Sequence, residues 1–254
     1  TDLELIDKLK AKQHKFDNSN ASYLIHMYEE SGIDFLKELN GWFSGILIDL
    51  QTNKIVLFND RYGMQKVFYH ESKDEFYFAS EAKALLKVCP ELRALDMQGI
   101  VESLSCNCVL ENRTLFRDIY LLPVSSAWTF QGNTIKRETY FDPATWESQS
   151  LLEKDIFYEQ LTKTFKKILP RYFRSNQNIG ISLTGGLDTR MIMANIDMPP
   201  GKYPCYTFGG IYRDSYDVSI SRKIAKTAKQ THNIIKLDMN FLKNFSDYAE
   251  RTIY

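Results

Sequence analysis

The sequence predicts two consecutive domains, an α+β domain of antiparallel sheets with helices and then an α/β domain with a parallel sheet. Apolar runs separated by short polar turns arrive as hairpins up to residue 140. From residue 178 onward, strand-like and helix-like segments alternate, which is typical of parallel strands joined by crossover helices. The stretch between them has no hydrophobic period. Residues 1–140, 141–150 and 151–254 are therefore interpreted as first domain, linker and second domain.

The first domain is predicted to begin with two helices. Apolar residues have helical spacing over 3–12 and again over Ser22–Ser31, and Gly32 ends the second helix. Three hairpins follow, with paired strands at residues 42–50 and 54–58, 67–70 and 76–79, and 126–130 and 134–140. Ser80 and Asp96 are the expected N-caps of two short helices between the hairpins.

The second domain is predicted to open with a long amphipathic helix over residues 151–173. Strands are expected at residues 179–183, 203–208 and 233–237, with helices at 187–196 and 217–229 between them. Ligands of such sheets bind at the carboxyl ends of the strands. The segment that follows the first of these strands is therefore a candidate ligand-binding site.

Composition argues against several classes of partner. Lys and Arg total 32 and Asp and Glu total 32, so no global field attracts nucleic acid or an anionic membrane surface. The four cysteines are too few for a disulfide framework, which favours a cytoplasmic location, and Cys106 and Cys108 lack the second ligand pair of a zinc site. No apolar run reaches the ~20 residues of a membrane span. We expect neither nucleic acid nor a membrane as a partner.

A hydroxyl, two glycines and an acid follow the first predicted parallel strand, in the segment Ser182-Leu183-Thr184-Gly185-Gly186-Leu187-Asp188-Thr189. Gly185 and Gly186 allow backbone amides to approach phosphate oxygens closely. The hydroxyls of Thr184 and Thr189 can donate to the same oxygens. The segment therefore has the composition of a phosphate-binding loop.

The helix predicted to begin near Leu187 would turn its positive end toward that phosphate. Asp188 would repel a bare phosphate, but it suits a Mg²⁺ ion that bridges to phosphate oxygens. No Lys follows the glycines as a Walker loop requires. The alternative is a tight strand-to-helix turn in which the glycines serve geometry and a Thr or Asp caps the helix.

The segment resembles the pyrophosphatase loop of the asparagine synthetase family, usually Ser-Gly-Gly-Leu-Asp-Ser, with Thr184 and Thr189 where the family has serines. Three upstream stretches resemble motifs of that family's N-terminal glutaminase domain: Asn40-Gly41-Trp42-Phe43-Ser44-Gly45, Asp60-Arg61-Tyr62-Gly63 and Phe78-Ala79-Ser80-Glu81-Ala82-Lys83-Ala84-Leu85. In the second domain, Phe208 occupies the place of a residue that packs on adenine, and Asp217 matches an acid of the family. The resemblance covers nearly the whole chain from about Phe16.

The resemblance implies an N-terminal nucleophile-type sandwich followed by an adenine nucleotide alpha-hydrolase-like, or PP-loop, domain. It also implies an ATP-dependent, AMP-forming ligase that makes an amide through an acyl-adenylate, with aspartate converted to asparagine by default. ATP and Mg²⁺ would be the cofactors, glutamine or ammonia the nitrogen source, and a homodimer is left open. Asp188 would be the catalytic, Mg²⁺-holding residue. The nucleotide would contact Ser182, Leu183, Thr184, Gly185, Gly186, Leu187, Thr189 and Phe208.

The chain departs from the family at its glutaminase. The family nucleophile is an N-terminal cysteine, and Thr1 is a poor substitute because helix follows it. The acid that holds the amino group of glutamine falls at Asn20, which cannot form a charge-assisted bond. We therefore expect an impaired glutaminase, closer to the β-lactam synthetase or lasso-peptide cyclase branches.

The chain is also expected to be a piece of a longer protein, truncated at both ends. A second phosphate loop and a distal lysine of the family would lie beyond Tyr254, so this piece should bind nucleotide weakly and should not turn over. Two other functions stay open, namely a different adenylating enzyme such as a transfer RNA thiolase or GMP synthetase, and a non-catalytic remnant. The histidines match no family catalytic position and are interpreted as structural or solvent-facing: His14, His26, His70 and His232.

Overall fold

The computed structural model describes residues 3–17, 21–174 and 178–253. The chain divides into two compact units, Thr1–Gln149 and Ser150–Tyr254. Within the described ranges, no helix has both the length and the apolar character needed to cross a membrane.

The first unit contains five α-helices and seven strands among its described residues. The helices are α1 (Leu3–Ala11), α2 (Ser22–Ser31), α3 (Ala82–Val88), α4 (Met97–Cys106) and α5 (Ala144–Glu147). The strands are β1 (Ser44–Asp49), β2 (Lys54–Asn59), β3 (Phe68–Glu71), β4 (Phe76–Ala79), β5 (Tyr120–Leu121), β6 (Ser126–Gln131) and β7 (Thr134–Thr139). The strands form two antiparallel sheets, one in the order β1-β2-β6-β7 and one in the order β4-β3-β5. The predicted α+β class with antiparallel hairpins is confirmed.

These elements form four layers, with helices outside each of two stacked sheets. Side chains of β2 alternate between the two faces of the first sheet, so that they contact a different core on each face. Val56 and Phe58 point to the core beneath α1 and α2, whereas Leu57 joins the core between the two sheets. On the far side of the second sheet, Leu85 of α3 packs in a third cluster with Ile119. Because β2 is buried on both faces, its sequence is almost continuously apolar.

Two local predictions for the first unit differ in outcome. Asp96 is the N-cap of α4, since its carboxylate accepts from the Gly99 amide at 2.7 Å. Ser80 was the expected cap of α3, and this is wrong, because the N-cap residue is Glu81 and no side chain caps that helix.

The stretch predicted as a linker contains α5, where Trp146 lies against Phe141 with ring centroids 5.1 Å apart.

The second unit is built around a parallel sheet. Its helices are α6 (Lys154–Ile168), α7 (Leu187–Asn195), α8 (Tyr216–Thr227), α9 (Met239–Lys243) and α10 (Phe245–Ile253). Its strands are β8 (Ile181–Ser182), β9 (Cys205–Gly209) and β10 (His232–Lys236), in the order β10-β9-β8 with both pairs parallel. The predicted alternation of strands and helices is confirmed as a parallel sheet, while its membership of the PP-loop class stays a prediction.

The core of this unit lies against one face of the sheet. It joins Leu183 and Cys205 to Met193 of α7 and Ala225 of α8. The helix predicted over 151–173 is shorter, because α6 begins at Lys154 and passes into a 3₁₀ turn at Leu169–Phe173 that contains Pro170.

Candidate functional site

The segment 182–189 lies at the carboxyl end of β8, where the chain turns from the sheet into α7. Ser182 pairs with Tyr206 of the neighbouring strand β9, and its side chain is exposed. Leu183 is fully buried and fixes the start of the turn in the core. The loop therefore begins from a rigid point and opens at the sheet edge where parallel sheets bind ligands.

Both glycines of the loop are in close contact with polar groups. The Gly185 amide donates to Asp217 Oδ1 at 2.7 Å, and a Cβ at this position would lie 2.8 Å from the same oxygen and 3.0 Å from the Tyr216 ring. The Gly186 amide donates to Thr184 Oγ1 at 3.1 Å. A side chain at position 185 would therefore displace the Asp217 carboxylate and the Tyr216 ring from the first turn of α8.

The start of α7 offers donors to a ligand. Gly186 is its N-cap residue, and no side chain caps the helix. Asp188 lies in the first turn with an exposed carboxylate, and Leu187 beside it is 73% exposed. The Thr189 Oγ1 atom is buried and has no hydrogen-bond partner among the described residues. Uncapped first-turn amides beside a buried hydroxyl form a site that suits an anion.

Phe208 lies further along β9, toward the carboxyl end of that strand. Its ring is 53% exposed and makes an edge contact with Tyr206, with ring centroids 6.0 Å apart. Because side chains alternate, Thr207 between them is buried on the other face. The Phe208 ring is therefore exposed near the edge of the sheet at which the loop lies.

Behind the loop, a polar contact joins the three strands. Thr207 Oγ1 donates to the Leu183 carbonyl at 3.0 Å and lies 2.8 Å from His232 Nε2, the first residue of β10. Because the Thr207 hydroxyl donates its proton to the Leu183 carbonyl, His232 Nε2 is the donor in its contact with Thr207 Oγ1. Burial, with a smaller effect of Arg222, lowers the pKa of His232 and favours the neutral ring. His232 is therefore structural, as its sequence context predicted.

The structure brings the predicted site residues to one end of the parallel sheet. The loop follows β8, Phe208 lies near the end of β9, and Asp217 opens α8. Sequence reasoning identified Asp217 as a family acid, but it did not foresee the bond to Gly185, because the two residues are 32 positions apart. Asn20, the predicted substrate-binding residue, lies outside the described residues.

In the first unit, the motif at residues 60–63 is organised by a buried carboxylate. Asp60 is fully buried and accepts from four backbone amides, at 3.3 Å from Phe43, 3.1 Å from Tyr62 and Met64, and 2.9 Å from Gln65. The acid therefore shapes the loop that follows β2. Its oxygens are already used by the backbone, which argues for a structural role rather than a ligand contact.

Comparison with known proteins matches residues 3–141 to the glutamine amidotransferase domain. An asparagine synthetase (glutamine-hydrolysing) 2 of Bacillus subtilis is 27% identical over 204 residues, which cover 73% of this chain and 27% of the relative. The corresponding enzyme of Cricetulus griseus is 26% identical over 249 residues, covering 88% of this chain and 41% of the relative. The chain thus spans about a quarter to two fifths of the length of these relatives.

Among solved structures, a glutamine-dependent NAD⁺ synthetase from Acinetobacter baumannii in complex with ADP aligns with a TM-score of 0.31 and 12% identity. That alignment covers 89% of this chain and 56% of the other. At this level of similarity, the pairing carries no argument about either fold or chemistry.

Proposed function

We propose that this chain, which belongs to the glutamine amidotransferase family through residues 3–141, begins in its second unit an ATP-dependent, AMP-forming ligase that makes an amide bond. The carboxylate substrate would be aspartate by default, and the nitrogen would come from glutamine or ammonia. The relatives carry the name asparagine synthetase, and they are more than twice as long as this chain. The ligase activity is therefore proposed for the longer protein.

The buried, unpartnered hydroxyl of Thr189 is the observation that carries this proposal. A buried hydroxyl without a partner costs about 1–3 kcal/mol, so its position needs a reason. A phosphate oxygen at the uncapped start of α7 would supply the missing partner. The residues at the start of α7 therefore suit the phosphates of a nucleoside triphosphate.

Four residues of the loop, together with Phe208, have a role in that assignment. The backbone near Gly186 and the hydroxyls of Thr184 and Thr189 would hold phosphate oxygens, and the exposed ring of Phe208 would pack on the adenine. Asp188 would hold Mg²⁺, whose preferred ligands are carboxylate and phosphate oxygens. When bound, magnesium ATP would supply the adenylyl group that activates the carboxylate, with pyrophosphate released in that transfer and AMP released when the nitrogen nucleophile displaces it.

The test is a calorimetric titration of this chain with magnesium ATP. Thr189→Val keeps the shape of the side chain and removes only the hydroxyl, so we expect binding about 10-fold weaker, the effect of one hydrogen bond to a charged acceptor. Asp188→Asn should remove most of the dependence of binding on Mg²⁺. Thr227→Val, on the exposed side of α8, is the matched control and should bind as the unaltered chain does. Equal binding by the Thr189 and Thr227 variants would refute the assignment.

We propose further that the glutaminase of the longer protein is impaired, because Asn20 stands where the family has an acid. The substrate's ammonium would lose its charge-assisted partner there. In a glutaminase assay of the complete protein we expect little ammonia from glutamine, with free ammonia or a substrate amine used instead. Robust release of ammonia by the unaltered protein would contradict this, and Asn20→Asp measures how much the missing charge contributes.

A non-catalytic role is the second candidate, and the bond between Asp217 and Gly185 favours it. In this arrangement a carboxylate of the chain itself holds one amide of the loop. If the loop had lost its ligand, such an internal bond would stabilise the turn without nucleotide. The titration above separates the two candidates, since a remnant would show no heat with magnesium ATP in the chain or in the complete protein.

A further inference from the structure

Two histidines of the first unit face each other, although the sequence suggested no link between them. The Nδ1 atoms of His14 and His26 are 3.2 Å apart, and the ring centroids are 5.0 Å apart. The rings are partly buried, and each side chain is 23% exposed to solvent. The sequence interpreted both histidines as structural or solvent-facing, and the structure adds their contact with each other.

The end of α1 explains how His14 reaches α2. Gln13 adopts a left-handed conformation with φ 68°, and the His14 amide donates back to the Leu9 carbonyl at 3.1 Å. This tight turn reverses the chain at the end of the helix. His14 is thereby directed at the side of α2 on which His26 and Glu29 lie one turn apart.

Hydrogen bonds alone do not account for the short contacts among these three side chains. His26 Nδ1 lies 3.0 Å from Glu29 Oε2 as well as 3.2 Å from His14 Nδ1. One N–H would have to point at two acceptors in different directions, and a neutral ring nitrogen carries one proton at most. A single cation placed between the three atoms would satisfy all of them.

We propose that His14 Nδ1, His26 Nδ1 and a Glu29 carboxylate oxygen form a binding site for Zn²⁺ or a similar divalent transition metal. The three ligand atoms all lie within 4.8 Å of one another. Ligands at about 2.0–2.2 Å from a tetrahedral zinc lie roughly 3.3–3.5 Å apart, so the two short contacts need little adjustment. Imidazole nitrogens select zinc over Mg²⁺ or Ca²⁺, which prefer oxygen ligands.

Glu30 orients His14 for this role. Its Oε1 lies 2.8 Å from His14 Nε2, and its Oε2 accepts from Lys12 Nζ at 2.5 Å. The carboxylate fixes the proton on Nε2, which leaves the Nδ1 lone pair free for a metal. Carboxylate–histidine–metal arrangements of this kind recur at zinc sites, where the outer carboxylate sets the ring orientation and the tautomer.

The three ligands leave room for a water molecule as the fourth ligand, because Glu29 is exposed and a cation can enter from solvent. Two histidines, a carboxylate and a water can hold a metal structurally, by joining the turn after α1 to α2. The site needs neither the loop at residues 182–189 nor a nucleotide. It therefore stands or falls independently of the proposed ligase function.

The experiment is a titration of the metal-free 254-residue chain with Zn²⁺ in competition with a chromophoric chelator. Cys106 and Cys108 are free and exposed, so both are first changed to Ser to remove adventitious thiol ligands. We expect one Zn²⁺ per chain. His26→Gln should weaken binding by more than the ~10–100-fold that loss of an outer partner costs, and Glu30→Gln should weaken it within that range.

His70→Gln is the matched control, since it removes a histidine that contacts the Asp118 carbonyl and lies outside the cluster. This variant should bind Zn²⁺ as the parent does. Circular dichroism checks the fold of each variant, and Glu30→Gln, which keeps all three ligands, decides the question if a ligand variant fails to fold. Equal Zn²⁺ affinity in the parent and the His26→Gln or Glu30→Gln variant would overturn the proposal.

Discussion

Asp60 illustrates how one residue can order a loop. Its two oxygens accept from amides on both sides of the turn, and the side chain is completely buried beside Asn59. Asn59 extends the same network, because its amide donates to the carbonyls of Leu122 and Pro123 and its oxygen accepts from Ser126. Every polar atom of the pair that faces the core has a partner, as buried polar groups require.

Asp60→Asn should therefore destabilise the first unit strongly. The new amide group would point donors at backbone donors, so we expect a loss of about 3 kcal/mol in the free energy of unfolding. Urea denaturation followed by tryptophan fluorescence measures it. Asp74→Asn, in the exposed turn between β3 and β4, is the matched control and should change stability by less than ~0.5 kcal/mol. A variant at Asp60 as stable as this control would show that the network contributes little.

Some residue-level features could be predicted from sequence and others could not. Glycine at position 185 follows from a local motif, and the structure adds the close approach of the Asp217 and Tyr216 side chains of α8. The pairing of His14 with His26 depends on a left-handed Gln13, and glutamine gives no signal for that conformation. Contacts between residues far apart in sequence, such as Gly185 with Asp217, have no period that a single sequence reveals.

At the scale of elements, the parallel sheet is held across its strands by Thr207 and His232 as well as by its backbone. One hydroxyl connects the carbonyl at the end of β8 with the first side chain of β10. The strand β8 has only two residues, so side-chain contacts matter more there than in the longer strands. Protonation of His232 would place a charge in this partly buried position.

The stability of the second unit should consequently fall in mild acid. Burial lowers the pKa of folded His232 below its ordinary value of 6.5. The unfolded chain then binds more protons, so stability is complete above about pH 6.5 and declines as the pH falls from there through the folded-state pKa. His232→Gln keeps a donor for Thr207 but cannot titrate. We expect a steeper loss between pH 7 and pH 5 in the unaltered chain than in this variant, measured by urea denaturation, and parallel pH profiles would contradict it.

Elements with a clear hydrophobic period were predictable, and those defined by tertiary contacts were not. The hairpins at β1–β2 and β6–β7 follow from alternating apolar residues around polar turns. The 3₁₀ helix at Gly32–Lys37 was missed, since its buried Phe35 and Leu36 are adjacent and fit no helical stripe. The late start of α6 was also missed, because all of residues 151–153 are exposed and nothing in the core selects their conformation.

At the scale of the whole molecule, the chain consists of two units with separate cores. Residues 150–153 connect them without regular structure, and Leu151 in this stretch is 100% exposed. The loss of hydrophobic period near residue 141 predicted a linker at residues 141–150, and part of that stretch is the helix α5. A large apolar side chain on an open connection is an accessible site for a protease.

Limited proteolysis with thermolysin, which cleaves before large apolar residues, should therefore cut first at Leu151 or Leu152. Mass spectrometry should find two fragments that meet at this position, before any product of cleavage within β2 or β9. Leu151→Ser combined with Leu152→Ser removes both apolar residues and should slow the first cut. Initial cleavage inside either core would be inconsistent with two independently compact units.

The bond between Asp217 and Gly185 also affects which anions the loop would select. Asp188 and Asp217 place two carboxylates beside a small set of amides and hydroxyls. A free inorganic phosphate gains the donors but meets both negative charges, whereas a phosphate already paired with a divalent cation brings charge of the opposite sign. Under the proposed function, the loop would bind an ion pair rather than a bare anion, and its selectivity would lie in the cation as much as in the phosphate.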